Sequence, residues 1–114
     1  MPERLPEFQK HPRDATINFA KEVLSTGGAP HGSHFVRLVE YADGHYRAIF
    51  RPSYFVLPEG QEQPSKSQWN SLKKKIKRHN PRVFIFKEHG EISCGEGTSQ
   101  KERCYYVDFG FFAH

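Results

Sequence analysis

The sequence predicts a single α+β domain in which an antiparallel sheet of four or five strands carries two helices on one face. Three observations lead to this fold class: a capped amphipathic segment at residues 65–80, a hairpin signal at Asp43-Gly44, and the element order α-β-β-α-β-β. Hairpins join antiparallel neighbours, and helices with narrow apolar stripes cover one sheet face and little more. We assign residues 14–114 to the domain and residues 1–13 to an extended N-terminal arm.

Composition limits the class of protein. Hydrophobic residues make up only 36% of the 114 residues, but ten Phe, five Tyr and one Trp can fill a core because aromatic side chains bury much area. The formal net charge is +4, which favours nucleic acid or an acidic protein as partner, although such a charge also serves solubility. Neither a membrane span nor a signal peptide is apparent, so we expect no membrane partner and a cytoplasmic location.

The first helix follows the arm, which contains three Pro residues. Asp14 is the expected N-cap, and Gly27-Gly28 the expected end. Apolar residues recur between them at helical spacing: Ile17, Ala20, Val23 and Leu24. The Gly-rich segment 27–33 then reads as a loop.

The clearest hairpin pairs residues 34–41 with residues 45–51. Asp43-Gly44 is a favoured two-residue turn, and this turn would place Glu40 opposite Arg47 and Leu38 opposite Ile49. We expect residues 52–57 to extend the second strand at a sheet edge after a kink at Pro52. Residues 58–64 form a polar loop.

The second helix has the strongest signals. Ser65 and Gln68 have the spacing of a capping box, and Asn80 before Pro81 is expected to take a left-handed turn that ends the helix. One narrow apolar stripe contains Trp69, Leu72 and Ile76. At about 100° per residue, the opposite side is cationic and carries Lys74, Lys75, Lys77 and Arg78.

Three further segments complete the sheet. Residues 83–86 are a continuous apolar run, expected to be a central strand, and His89-Gly90 is expected to turn the chain into a short strand at 91–94. Residues 95–103 read as a solvated loop. Residues 105–112, rich in Tyr and Phe, form the last strand.

The sequence reveals no catalytic mechanism, and we expect a non-enzymatic, nucleic-acid-associated module without a cofactor. The cations of the second helix would contact phosphates, and hairpin arginines would extend that surface if they lie on the same side. Tyr and Phe residues could stack on bases, although the last strand lacks the basic-Gly-aromatic submotif of an RRM. The predicted binding residues are Lys73, Lys74, Lys75, Lys77, Arg78, Arg47 and Arg51.

Two other function classes remain open. A protein-interaction or inhibitor module would use the same aromatic side chains as an interface, without nucleic-acid contact. A small metal-independent ribonuclease would need an acid, a base and a phosphate clamp, for which the hairpin offers His34, His45, Glu40 and Arg47. The sequence leaves open whether the protein is a monomer or a dimer.

The two cysteines, Cys94 and Cys104, flank one loop. With His89 and His114 they are candidates for a metal site, but their spacing matches no common zinc knuckle. A disulfide across the loop would require an oxidising compartment. We therefore expect two reduced, buried thiols and no metal.

Overall fold

The computed structural model describes residues 13–25, 33–95 and 102–112, and at residues 86–88 it describes the backbone alone. Two helices and an antiparallel sheet confirm the predicted fold class and element order. The predicted arm lies outside the described residues, except for Arg13, which begins the first helix. The elements are α1 (Arg13–Val23), β1 (Phe35–Glu40), β2 (Tyr46–Phe50), a 3-10 turn (Pro52–Tyr54), α2 (Lys66–His79), β3 (Val83–Ser93) and β4 (Arg103–Phe111).

The strand order is β1-β2-β4-β3, and all pairs are antiparallel. The predicted central strand at residues 83–86 instead begins the edge strand β3. The predicted turn at His89-Gly90 is also wrong, because β3 continues through it and pairs with β4 on both sides of a register shift between Ile85 and His89. Counting these two segments separately gives five strands. A Cβ added at Gly90 would lie 3.5 Å from the Tyr106 ring. Gly90 is therefore covered by this ring within the strand and does not form the predicted turn.

The β1–β2 hairpin differs from its predicted register by one residue. Leu38 pairs with Ala48 and Glu40 with Tyr46, so Glu40 does not face Arg47. The loop has three residues rather than two: Tyr41 N donates to His45 O at 2.9 Å, and Gly44 takes a left-handed φ of 97°. Since side chains alternate along a strand, this single extra loop residue changes every cross-strand partner.

Both helices form where predicted, with corrections at their ends. Asp14 lies in the first turn of α1, where a carboxylate favours the helix dipole, and is not its N-cap. The predicted stop at residues 27–28 lies outside the described residues. The capping box of α2 is confirmed, because Ser65 Oγ accepts from Gln68 N and Gln68 Oε1 accepts from Ser65 N. Asn80 is extended (φ −149°) rather than left-handed, as expected for a residue that precedes proline.

The segment after β2 forms the 3-10 turn rather than a strand. Pro52 supplies a fixed φ at the first position of the turn, where its missing N–H is not needed. Tyr54 N donates to Arg51 O at 3.1 Å, and Phe55 N donates to Pro52 O at 3.0 Å. This reversal folds residues 54–57 against the helix layer, and Phe55 packs on Trp69 at 5.0 Å between ring centroids.

One main core lies between the sheet and the helices. The predicted stripe of α2 is buried: Trp69, Leu72 and Ile76 are 7%, 1% and 4% exposed. Trp69 contacts Phe50 and Tyr105 edge-on, so the helix docks through its indole. Aromatic residues of β2 and β4 supply much of the remaining core, namely Tyr46, Phe50, Tyr105, Phe109 and Phe111.

The second face of the sheet carries a smaller cluster, and no described helix packs on it. Ile49, Cys94 and Cys104 form its centre, with Val39 and Tyr106 beside them. The two cysteines form a disulfide, so the expectation of reduced thiols is wrong. The antiparallel pairing of β3 with β4 brings their Cα atoms to 5.0 Å, within the range that a disulfide requires.

Candidate nucleic-acid interface

Four cations of α2 lie outside its buried stripe, and we call them the cationic surface: Lys73, Lys74, Lys77 and Arg78. Burial of the opposite stripe fixes the orientation of the helix, so Lys74, Lys77 and Arg78 are exposed and Lys73 is half-buried. The ion pairs among the described residues lie elsewhere, and none includes a residue of α2. These charges are therefore not neutralised by any carboxylate that the structure describes.

Lys75, a fifth predicted contact, has a different environment. Its Nζ donates to Ser25 O at 2.6 Å and lies 5.6 Å from the centroid of the Tyr54 ring. Lys75 thus ties α2 to the carboxyl end of α1, where a cation suits the helix dipole. Burial lowers the pKa of Lys75, and the nearby charge of Arg78 lowers it further.

A groove of about 470 Å³ separates α2 from the 3-10 turn and the residues that follow it. One wall contains Tyr54 and Val56, and Val56 is 86% exposed. The facing wall on α2 contains Lys75, Arg78 and His79. Gln68 Nε2 donates to Val56 O at 3.1 Å and holds the two walls together. The groove is therefore apolar on one side and cationic on the other.

Burial also raises the pKa of the Tyr54 hydroxyl. A protonated phenol can donate as well as accept a hydrogen bond, and Tyr54 lines the groove. The sequence pattern does not predict this site, because it favours a continuation of β2 over residues 52–57. The combination of Pro52 with the aromatic pair Tyr54-Phe55 was the available signal for a turn packed on the helix layer.

Arg47 lies on the second face of the sheet, away from the helices. It donates to both carboxylate oxygens of Asp108, at 2.8 and 3.0 Å, and covers the Tyr106 ring at 4.0 Å. The Asp108 hydrogen bond is the main cause of the raised pKa of Arg47. The structure therefore does not bring Arg47 together with the cationic surface, and Asp108 neutralises its charge.

Arg51, the other predicted hairpin contact, is exposed at the end of β2. Its backbone N–H donates to His34 O at 2.8 Å, which closes the open end of the hairpin. Arg51 directly precedes the 3-10 turn and so lies next in sequence to one wall of the groove.

Two of the four candidate ribonuclease residues, His45 and Arg47, lie on the same Tyr41 ring, at 4.3 and 5.6 Å, whereas His34 and Glu40 have other partners. His34 bonds Ser53 Oγ at 3.0 Å, and Glu40 lies 3.6 Å from Arg13 on α1. His45 bonds Asp43 and stacks on Tyr41 at the hairpin tip, while Arg47 pairs with Asp108. The structure does not assemble them into one site.

The candidate metal residues that the structure describes have other partners. The disulfide occupies both cysteines, and His89 lies against Trp69 at 4.3 Å between ring centroids. His114 lies outside the described residues. In the part of the chain that the structure describes, no three His, Cys, Asp or Glu side chains are grouped to hold a metal ion.

The fold and this surface together define a small two-layer α+β domain with a cationic outer helix. No protein-family model, curated protein or solved structure matches the chain. Among the described helices, none has the length and apolarity of a membrane span.

Proposed function

We propose that this protein is a non-enzymatic module that binds nucleic acid by contacting phosphates through the cationic surface of α2. The observation that carries the proposal is the set of solvent-facing cations without a described carboxylate partner. Elsewhere in the described chain, Arg13, Arg47 and Arg103 each lie near a carboxylate, and exposed cations without an ion pair, such as Arg51 and Arg82, are not grouped on one helix as those of α2 are.

The spacing of these cations suits a polyanion. Lys73 and Lys77, like Lys74 and Arg78, are four residues apart, so their Cβ atoms are about 5–6 Å apart on the helix surface. A nucleic-acid strand presents one phosphate about every 3.4 Å along its axis, so one helix can contact several phosphates at once. Such binding releases condensed counterions and therefore weakens as salt rises.

The second face of the sheet favours protein interaction as a second candidate function. Half-buried apolar and aromatic side chains lie there, including Val39, Ile92 and Tyr106, and no described helix packs on them. Aromatic residues in such a setting are typical of protein interfaces. A protein partner that is recovered from cell extract after nuclease treatment, and lost on substitution of this face, would favour this candidate.

The ribonuclease hypothesis has less support, because only His45 and Arg47 of its four candidates lie near one another, and Arg47 is already paired with Asp108. The geometry therefore favours binding over cleavage.

The proposal is tested by anisotropy of fluorescent oligonucleotides at salt concentrations from about 50 to 200 mM. We expect wild-type affinity to fall steeply with salt. Replacing Lys74, Lys77 and Arg78 together by Gln should flatten the log–log salt slope by about 2 for a single strand, because each lost phosphate contact accounts for about 0.7.

A matched control carries the same change in net charge elsewhere. The variant Arg13→Gln/Lys21→Gln/Arg103→Gln removes three cations from α1 and β4 and should keep most of the affinity and slope. Circular dichroism verifies that both variants fold. If the two triple variants lose affinity equally, only net charge matters; if neither loses affinity, the helix does not bind nucleic acid.

A further inference from the structure

We infer that the groove between the 3-10 turn and α2 accepts one nucleotide of a single-stranded nucleic acid. The phosphate would lie at Arg78 and His79, and the base would lie against Tyr54 and Val56. This inference rests on the proposed function and adds to it the class of nucleic acid and the position of one base.

The cationic wall lacks a counter-charge. Lys75 is half-buried, and its described partner is the neutral carbonyl of Ser25 rather than a carboxylate. Arg78 is exposed at the rim with no described ion pair. A phosphate bound at Arg78 would therefore pair with a cation that has no described carboxylate partner, through the charge-assisted hydrogen bonds that a guanidinium forms with phosphate.

The opposite wall, formed by Tyr54 and Val56, is open to solvent. Val56 is 86% exposed, and the half-buried Tyr54 also lines the groove. A nucleobase has flat apolar faces and polar edges, and it fits a site with an aromatic wall and nearby donors. The volume of about 470 Å³ is ample for one nucleotide.

Single strands fit this groove better than duplexes. The bases of a duplex are stacked and paired inside, so a duplex offers phosphates to the cationic surface but no base to the groove. An unpaired strand can place a base there while its neighbouring phosphates contact Lys74 and Lys77. An acidic peptide would also satisfy the cations, but its carboxylates would leave the apolar wall exposed.

The first test compares two exposed cations of α2, one that lines the groove and one that does not. Arg78→Gln and Lys74→Gln change the net charge equally. With a single-stranded oligonucleotide, we expect Arg78→Gln to weaken binding roughly fivefold more than Lys74→Gln, because without the phosphate contact at Arg78 the base is no longer held in the groove, and one stacked base contributes at least this factor. With a duplex of the same sequence, the two variants should lose affinity equally.

These outcomes separate the inference from the proposed function. Equal losses with both oligonucleotides would overturn the groove assignment and leave the cationic surface in place. A wild-type protein that binds neither oligonucleotide would overturn both. Using RNA and DNA versions of the single strand shows whether the 2′-hydroxyl contributes.

The second test follows the methyl resonances of Val56 by NMR, which does not depend on a variant folding. We expect adenosine 5′-monophosphate to shift them saturably and inorganic phosphate to leave them nearly unchanged. Equal shifts from both ligands would indicate an anion site without a base, and a stronger shift from a glutamate-rich peptide would indicate a protein partner. Either result overturns the nucleotide assignment.

Discussion

Arg47 and Lys75 show how neighbours decide what a cation can do. Arg47 donates two hydrogen bonds to Asp108, so its charge is already matched inside the molecule. Lys75 donates to a carbonyl and keeps its charge without a described carboxylate partner. The sequence assigns both to one binding surface, because charge and spacing carry no information about which face a side chain takes.

The Arg47–Asp108 pair makes a stability prediction. Replacing Asp108 by Leu leaves the half-buried guanidinium without its partner, and we expect a loss of about 3 kcal/mol in the free energy of unfolding. Urea denaturation, monitored by tryptophan fluorescence, measures this loss in the free energy of unfolding. The double variant Arg47→Met/Asp108→Leu removes both charges and should recover most of the loss. An unchanged stability in Asp108→Leu would mean that the pair contributes little.

At the scale of elements, local signals were predictable and non-local ones were not. The capping box of α2 and its buried stripe depend on residues within one helix, and both were predicted correctly. The hairpin register depends on whether the loop has two or three residues, which Asp43-Gly44 alone does not decide. The edge position of β3 depends on pairing with a strand that comes later in the chain.

The same difference between local and non-local signals applies to the candidate site. Helical periodicity predicted the exposed cations, because the stripe opposite them had to be buried. It could not predict that Lys75 reaches Ser25, nor that Val56 faces Arg78 across a groove, because these contacts join segments far apart in sequence.

The disulfide contributes at the same scale by linking β3 to β4. Cys94 and Cys104 are separated by ten positions, and closing a loop of this length should stabilise the fold by about 3 kcal/mol, mainly by restricting the unfolded chain. We therefore expect Cys94→Ala/Cys104→Ala to lower the free energy of unfolding by about 3 kcal/mol. This loss is measured as a lower midpoint of urea denaturation. Wild-type protein reduced in denaturant and measured with reductant present should match the double variant, since both lack the link.

Native protein treated with mild reductant should keep its disulfide longer than unfolded protein, because both cysteines are buried. Mass spectrometry after thiol alkylation measures the fraction of protein that keeps the disulfide over time. An alanine variant as stable as wild type would mean that the strand pairing alone holds the loop. The cytoplasmic location expected from the sequence stays a prediction.

At the scale of the whole molecule, the sheet separates two surfaces of different character. The helix layer presents the cationic surface and the groove on one side. The second face presents Tyr106, Ile92 and a neutralised Arg47–Asp108 pair on the other. Nucleic acid and protein would therefore approach from opposite sides, and the side on which binding occurs distinguishes the two candidate functions.

Amide chemical-shift mapping with a single-stranded oligonucleotide tests this separation directly. We expect shifts to concentrate in α2 and in residues 54–56, and to be small at Arg47, Ile92 and Tyr106. The reason is electrostatic: phosphates are attracted to cations without counter-charges and gain little from a pair whose charges already cancel. Raising the salt concentration should remove the shifts on α2 as binding is lost. Shifts centred on Tyr106 would instead indicate that bases stack on the second face of the sheet, and the cationic surface would then serve only to attract the strand.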